Sequence, residues 1–314
     1  MMSPSEVEKS SDVSPGNGAV ATSAKPQMVD LPHGEALQPQ EAARIMGAAP
    51  TRVIVFGGPY ESGKTTLISS IYERFRKGPF ADLCFCGSCT LLGFERISYL
   101  GRQASGLARP QMERTTQQMG RQMFHLHLYD SARRVVQDVL LTDLSGEEFE
   151  NVRNFGGTCR GLDVIARADH FVLLIDGAKL RDVTLRQQAR DESCTILRRL
   201  QEKGLLGKRS LVDVLFSKWD LVEGDPAGGR ARDFAAVVET HLHECFGESV
   251  RCLKFERIIA RHPDGLAPLA TGVEKVLPAW CHEPCMPEPV CRFAVEDWLQ
   301  RREFDRFLIA GCQG

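Results

Sequence analysis

Short continuous apolar runs alternate along the chain with segments in which apolar residues recur at helical spacing. The first run, RVIVF after Thr51, is rich in branched side chains, which is typical of a strand buried on both faces. A glycine-rich turn follows it. The next segment places four apolar residues on one face of a predicted helix, namely Leu67, Ile68, Ile71 and Phe75. The pattern therefore predicts strand, loop and helix in direct succession.

Two later apolar runs, Phe124 to Tyr129 and Val135 to Leu144, are separated only by a short polar stretch. Strands this close in the chain are expected to pair as an antiparallel hairpin. Beyond the hairpin, predicted strands alternate with predicted helices: strand Phe171 to Ile175, helix Arg181 to Gln201, strand Leu211 to Phe216, helix Arg232 to Phe246 and strand Val250 to Ile259. This alternation predicts an α/β fold with a mostly parallel sheet, whose ligands bind beyond the carboxyl ends of the strands.

Composition divides the chain into three predicted parts. Residues 1–48 are rich in Ser, Pro, Gly, Ala and Gln and poor in large apolar side chains, so we expect a disordered N-terminal tail. Residues 49–280 form the predicted folded domain. Residues 281–314 form a C-terminal extension with a Pro-rich stretch and an amphipathic pattern that includes Trp298 and Phe304.

Charge and cysteine content exclude several classes of function. A net charge of −2 provides no general basic field, so nucleic acid is not an expected partner. No apolar run reaches the length of about 18 residues that spans a bilayer, and the polar start has no signal-peptide core. Eleven cysteines, an odd number without an export signal, favour reduced thiols. We therefore expect a cytoplasmic protein without a membrane span.

The glycine-rich turn reads GPYESGKT and satisfies the phosphate-loop pattern GxxxxGK[ST] between a predicted strand and helix. In such a loop, backbone N–H groups and the helix N-terminus bind phosphate oxygens. The lysine reaches the outer phosphates, and the following hydroxyl can bind Mg²⁺. The predicted nucleotide-binding residues here are Gly58, Glu61, Ser62, Gly63, Lys64, Thr65 and Thr66.

Two further motifs follow predicted strands. In DLSG, Asp143 ends a strand where its carboxylate could hold Mg²⁺ through water, and Gly146 would face the terminal phosphate. In SKWD, the Asp220 carboxylate could accept two hydrogen bonds from N1 and N2 of guanine, a donor pair that adenine lacks. Lys218 would support the base plane through its aliphatic stem.

In this order, GPYESGKT, DLSG and SKWD resemble the guanine-nucleotide signatures of the TRAFAC class of P-loop GTPases, which includes Ras-like and translation-factor-related proteins. The resemblance extends from about Thr51 to Trp280. It implies a three-layer P-loop NTPase fold of Ras-like topology, with one antiparallel strand in a mostly parallel sheet. It also implies GTP or GDP and Mg²⁺ as ligands.

A narrower resemblance rests on the stretch from TTLISSIYERFRKGPF to GSCTLLGFERI, together with DLSGEEF. These segments are similar to the double-GTPase families of bacterial conflict systems. This resemblance implies a molecular switch that acts in defence beside a second GTPase and other subunits of the same system.

The motifs depart from the Ras-like pattern at two positions. Ser217 replaces the usual Asn or Thr of the guanine signature, keeping a hydroxyl but losing amide contacts, so we expect weaker guanine affinity. Glu147 stands where Ras-like proteins have a water-orienting Gln, and its negative charge near a phosphate is unfavourable for intrinsic hydrolysis.

The candidate switch segment is Arg114 to Thr116. Either Thr115 or Thr116 would bind Mg²⁺, and Arg114 is either a cis arginine finger or a solvated surface residue. The candidate catalytic residues are therefore Lys64, Glu147 and Arg114.

Two clusters of cysteine and histidine, the first with the spacing CxCxxC, make a zinc site conceivable. The two clusters are Cys84, Cys86 and Cys89, and Cys281, His282, Cys285 and Cys291. Free thiols are the favoured interpretation. His125 and His127 alternate on one strand face and are expected to be structural.

Three functions remain open on the sequence. The first is a GTP-hydrolysing switch whose turnover partners could stimulate. The second is a nucleotide-bound scaffold without hydrolysis, which Glu147 and Ser217 favour. The third is a P-loop ATPase or small-molecule kinase, which would require the SKWD segment to be coincidental.

Overall fold

Helices cover both faces of a seven-stranded sheet in the computed structural model of the protein, which describes residues 34–99, 122–155, 162–224 and 228–282. The strands are β1 Thr51–Gly57, β2 Leu83–Gly87, β3 Gln122–Asp130, β4 Val135–Asp143, β5 His170–Asp176, β6 Leu211–Ser217 and β7 Cys252–Arg257. They lie in the order β2-β3-β4-β1-β5-β6-β7.

The helices described by the structure alternate with these strands. They are α1 Pro39–Ala48, α2 Lys64–Arg76, α3 Leu91–Tyr99, α4 Gly146–Phe155, α5 Asp163–Arg167, α6 Gly177–Arg181, α7 Arg186–Glu202, α8 Trp219–Glu223, α9 Gly228–Phe246 and α10 Leu277–His282, with a 3₁₀ turn at Val273–Lys275. None of these helices is long and apolar enough to cross a membrane.

Strand β3 alone runs against the others, pairing antiparallel with both β2 and β4, whereas the remaining neighbours are parallel. The predicted sheet with one antiparallel strand is thereby confirmed. Because β3 is reversed, its first residue, Gln122, pairs with Asp143 at the end of β4. The start of β3 thus lies at the sheet edge where the parallel strands end.

The continuous apolar runs form the centre of the sheet because both faces are covered. Every residue of β5 and β6 is buried. Side chains from α2, α3 and α10 pack on one face, and those from α1, α5, α7 and α9 pack on the other. The predicted three-layer arrangement follows from this two-sided burial.

The prediction of a disordered tail over residues 1–48 is wrong for residues 34–48. Helix α1 lies there, and Leu37 forms an isolated antiparallel bridge to Met123, exchanging two backbone hydrogen bonds of 2.8 and 3.2 Å. Ala42 is fully buried against the sheet. We call Gly34 to Leu37 the N-terminal strap. Composition misled because a few apolar residues are enough to anchor a segment on an existing core.

Two elements between the phosphate loop and the hairpin were not predicted. Strand β2 adds an edge to the sheet, and α3 stacks Phe94 on Tyr72 of α2 with ring centroids 4.5 Å apart. The helix predicted from Arg181 to Gln201 is two helices, because the Asp182 side chain accepts a hydrogen bond from the Thr184 backbone N–H at 2.8 Å and forms a turn.

The boundary at residue 281 also differs from the prediction. Cys281 and His282 belong to the last turn of α10, and the Cys281 side chain is buried beside Trp280 in the core. Burial raises the pKa of the Cys281 thiol to about 12. This thiol is therefore part of the domain interior rather than of an extension.

Candidate functional site

The candidate phosphate loop connects β1 to α2 and depends on unusual backbone angles. Gly58 and Gly63 have φ of 140° and 94°, and Glu61 also adopts a positive φ, of 61°. A Cβ atom at Gly58 would lie 2.7 Å from the Leu174 carbonyl oxygen of β5. Glycine is required there because the loop lies directly against the neighbouring strand.

Lys64 begins α2, and its side chain lies over the loop. The Nζ atom donates hydrogen bonds of 3.0 Å to the carbonyl oxygens of Gly58 and Pro59. The residue is only 7% exposed. Burial lowers the Lys64 pKa to about 8, against the opposing effect of nearby carboxylates, of which Asp143 is the strongest. The ammonium is thus held where it could leave the loop carbonyls for a bound phosphate.

Because of the lowered pKa of Lys64, we expect nucleotide binding to depend on pH. At pH 8.5, a pKa of about 8 leaves about three quarters of Lys64 neutral in the nucleotide-free protein. Anionic phosphates favour the charged form. We therefore expect GTP binding at pH 8.5 to take up most of one proton, measured by calorimetry in two buffers of different ionisation enthalpy. At pH 7.0 the uptake should nearly vanish. Equal uptake at the two pH values would contradict this role for Lys64.

Thr65 and Asp143 come together although 78 residues separate them in the chain. The Thr65 hydroxyl donates a hydrogen bond of 2.7 Å to Asp143 Oδ2. Parallel pairing of β1 with β4, in which Asp143 lies opposite Phe56, places this carboxylate beside the loop. A hydroxyl and a carboxylate are the hard oxygen ligands that suit Mg²⁺, so the residues present fit the predicted ion.

The segment after Asp143 lies on the phosphate loop. A Cβ atom at Gly146 would be 2.7 Å from Tyr60 Cα and 2.8 Å from Tyr60 N, so only glycine permits this approach. Ser145 and Glu148 exchange side-chain to backbone hydrogen bonds of 3.2 and 3.3 Å, which cap the start of α4. Glu147, between these two residues in the chain, is exposed.

Ser217 ties the end of β6 to the phosphate loop. Its hydroxyl lies 2.8 Å from the Ser62 carbonyl oxygen and 3.2 Å from that of Ile175, and it donates its proton between them. The serine hydroxyl thus connects β6 to the loop, because the loop backbone comes close enough for a short side chain. Weaker guanine affinity, expected from the missing amide, stays a prediction.

Lys218 and Asp220 lie at the same edge. Lys218 has a left-handed backbone, with φ 50° and ψ 41°, and its ammonium donates a hydrogen bond of 2.8 Å to Asp176 Oδ2. Among the described residues, the half-buried Asp220 carboxylate has no hydrogen-bond partner. The backbone N–H of the neighbouring Trp219 donates to the Ile258 carbonyl oxygen at 3.2 Å, which brings the end of β7 beside the motif.

Asp176 is a residue of this site that the sequence reasoning missed. It ends β5 and precedes a glycine, the strand-end carboxylate pattern that drew attention to Asp143. The same signal was therefore present at both positions.

The candidate switch residues Arg114, Thr115 and Thr116 lie outside the described residues. Glu61 and Thr66, at the loop and in the first turn of α2, are exposed and half-buried, respectively.

The histidine cluster on β3 and β4 is held by hydrogen bonds. Asp138 Oδ1 lies 2.9 Å from His125 Nε2 and 2.6 Å from His127 Nδ1. The Cys89 backbone N–H donates to His125 Nδ1 at 3.2 Å. A neutral His125 that accepts at Nδ1 carries its proton on Nε2, directed at Asp138. This arrangement leaves no lone pair of His125 for a metal ion.

The sheet order, the loop between β1 and α2, and the strand-end motifs at Asp143 and Ser217 define a TRAFAC-like P-loop GTPase. A family model described as Double-GTPase 2 matches residues 52–281, and the chain belongs to this family. No curated protein matches the chain.

Several solved structures are similar to the chain. The GTP-bound GTPase-like domain of S. cerevisiae Ski7 has 16% identity and a TM-score of 0.41, over 69% of this chain and 44% of that chain. The SRb-GTP/SRX complex of the signal recognition particle receptor from Chaetomium thermophilum has 15% identity and a TM-score of 0.37, over 74% and 97%. A nucleolar GTP-binding protein 1 from Plasmodium falciparum has 12% identity and a TM-score of 0.40, over 85% and 98%.

Proposed function

We propose that the protein is a Mg²⁺-dependent molecular switch that binds GTP and hydrolyses it to GDP. The observation that carries this proposal is the 2.7 Å contact between the Thr65 hydroxyl and Asp143, beside the buried ammonium of Lys64. One cation, one hydroxyl and one carboxylate thus converge at the mouth of the phosphate loop. Family membership supports guanine nucleotide as the ligand.

Each residue has a distinct role in this proposal. Lys64 leaves the loop carbonyls and binds the outer phosphate oxygens, where it stabilises charge that develops during phosphoryl transfer. Thr65 and Asp143 would hold the ion, which would supply positive charge to offset that of the phosphates. Gly146 lies against the backbone of the loop and is the first residue of α4. Its N–H can therefore bind the terminal phosphate, so that loss of this phosphate changes the position of α4.

On the base side, the Asp220 carboxylate accepts from guanine N1 and N2 while the Lys218 stem supports the ring. Glu147 and Arg114 remain candidate catalytic residues, and Thr115 or Thr116 a further Mg²⁺ ligand.

Phosphate release from GTP over a Mg²⁺ titration tests the proposal. We expect Asp143→Asn to raise the Mg²⁺ concentration for half-maximal turnover by about tenfold or more, because the neutral amide holds the ion less tightly. Asp264→Asn, in an exposed loop, removes the same charge and should leave the titration unchanged. An unchanged Mg²⁺ requirement in the Asp143 variant would reject this part of the proposal.

A non-hydrolysing scaffold is the second candidate, and the exposure of Glu147 favours it. This side chain is negatively charged, and Asp143, Glu148 and Glu150 already act electrostatically on Lys64. A further carboxylate does not help an anionic transition state. Tight GTP binding without phosphate release, even with partner proteins present, would favour the scaffold.

We also propose that the switch acts beside a second GTPase and other subunits of a bacterial conflict system. The family description, Double-GTPase 2, supports a two-GTPase arrangement. Co-purification of the full chain with the products of neighbouring genes, in the presence of GTP or GDP, tests this context.

A further inference from the structure

We infer that Asp176 is a positioning residue that holds Lys218 in place for base recognition, an inference that rests on the proposed guanine-nucleotide function. Asp176 ends β5 and lies opposite Ser217 in the register of β5 with β6. Its side chain is 8% exposed, and that of Lys218 is 37% exposed. A buried carboxylate therefore anchors a partly solvated lysine.

The two oxygens of Asp176 have separate contacts. Oδ1 accepts a hydrogen bond of 2.8 Å from the Ala178 backbone N–H and caps α6, which fixes the plane of the carboxylate. Oδ2 accepts the hydrogen bond of 2.8 Å from Lys218. The Ala178 backbone N–H of α6 thus fixes the orientation of the carboxylate that binds Lys218.

The Lys218 backbone is held as well as its ammonium. A Cβ atom at Gly177 would lie 2.4 Å from the Ser217 carbonyl oxygen and 2.9 Å from that of Lys218, so α6 presses directly on this segment. The left-handed φ of 50° is uncommon for a residue with a side chain, and such angles persist where surrounding contacts fix them. With both ends fixed, the aliphatic stem of Lys218 keeps one direction across the edge of the site.

The physical gain is preorganisation. A lysine side chain has many rotamers, and ordering it upon binding opposes affinity. Asp176 orders the Lys218 side chain before the nucleotide binds and also neutralises its charge. The aliphatic stem of Lys218 is therefore available to the base, and its ammonium is not available to the phosphates. Loss of the Asp176 carboxylate should weaken binding of the base without affecting binding of the phosphates.

Calorimetry with GDP and Mg²⁺ on the full chain tests this inference. We expect Asp176→Asn to weaken GDP binding by about threefold to tenfold, the range for losing one preordered side chain. Asparagine keeps an oxygen for the Ala178 N–H, so the cap survives. Binding of inorganic tripolyphosphate, which has no base, should be unchanged. Asp182→Asn is the matched control, because Asp182 likewise accepts hydrogen bonds at a turn, from Thr184, and in the described part of the chain no hydrogen bond joins its side chain to the SKWD segment.

The Lys218→Met background separates positioning from a structural effect. In that background Asp176→Asn should have little further effect on GDP affinity, because the ammonium that Asp176 binds is gone. If Asp176→Asn melts below the assay temperature, Asp176→Ser, which also offers an oxygen to the cap, replaces it in the same cycle.

Several outcomes overturn the inference. An equal loss of GDP affinity in both backgrounds, or an equal loss for GDP and tripolyphosphate, would mean that Asp176 supports the fold or the loop rather than Lys218. Unchanged GDP affinity in Asp176→Asn would reject the inference while leaving the proposed function intact. Absence of GDP binding by the unaltered protein would reject the proposed function itself.

Discussion

Lys64→Ala is expected to weaken GTP binding by at least about a hundredfold, as follows when one partner of a buried charged contact is removed. The reason is the position of the ammonium, which is buried and bonded to the Gly58 and Pro59 carbonyl oxygens at the mouth of the loop. No other lysine or arginine is recorded within hydrogen-bond distance of those two oxygens in the described structure. Calorimetry with GTP and Mg²⁺ at pH 7 measures the loss.

Folding controls accompany this experiment. Lys275→Ala removes an exposed lysine paired with Glu256 and should bind GTP normally. Burial lowers the Lys64 pKa from 10.5 to about 8. Below pH 8, keeping the lysine charged in the fold therefore costs stability in the nucleotide-free protein, and this cost decreases as the pH rises from 8 to 10.5. Lys64→Met should therefore melt at the same temperature as the unaltered protein at pH 7, or higher. Undiminished GTP affinity in Lys64→Ala would disprove the phosphate-binding role.

Asp220→Asn is expected to exchange base preference from guanine to xanthine. The carboxylate can accept from both N1–H and the N2 amino group of guanine, whereas an amide can accept from N1–H and donate to the O2 atom of xanthine. We expect GTP affinity to fall by about a hundredfold or more, since a buried donor of the base is left unpaired. Competition between GTP, xanthosine triphosphate and ATP for the variant measures the exchange.

Asp233→Asn serves as the control, because it removes the same charge from an exposed carboxylate on α9 that is not part of the SKWD segment. It should keep the guanine preference. Equal ratios of GTP to ATP affinity in the Asp220 variant and the unaltered protein would assign the SKWD segment to an ordinary turn and favour the ATPase alternative.

The phosphate loop could be predicted from sequence because its geometry is local. Eight consecutive residues carry the glycines, the lysine and the hydroxyl, and the flanking apolar patterns specify a strand and a helix. Asp143 could also be predicted to face the loop, since parallel strands end at one edge. The 2.7 Å contact with Thr65 is consistent with that reasoning.

The contacts of Ser217 and Asp176 could not be predicted from local pattern. The hydroxyl of Ser217 donates to the carbonyl oxygen of Ser62, 155 residues away in the chain. Whether a serine can reach that oxygen depends on the distance between the two backbone segments, which the local sequence does not specify. The same limit explains α1, whose sequence is weakly apolar, and β2, which is only five residues long. Both are ordered by docking on a core formed largely by other residues.

The N-terminal strap has a consequence for where this molecule can be cut. The Leu37 bridge satisfies the backbone N–H and C=O of Met123, and Gly93 of α3 lies against Ala36, so closely that a Cβ atom there would be 2.6 Å from the Ala36 nitrogen. Met123 is the neighbour of Gln122, which pairs with Asp143. A chain that began at Arg52, where the family match begins, would retain the whole phosphate loop. It would lack the N-terminal strap, which contacts both α3 and β3. The edge that holds Asp143 would then lie beside a strand whose Met123 backbone groups have lost their partner, so a piece that keeps this edge supported has to include Gly34 to Leu37.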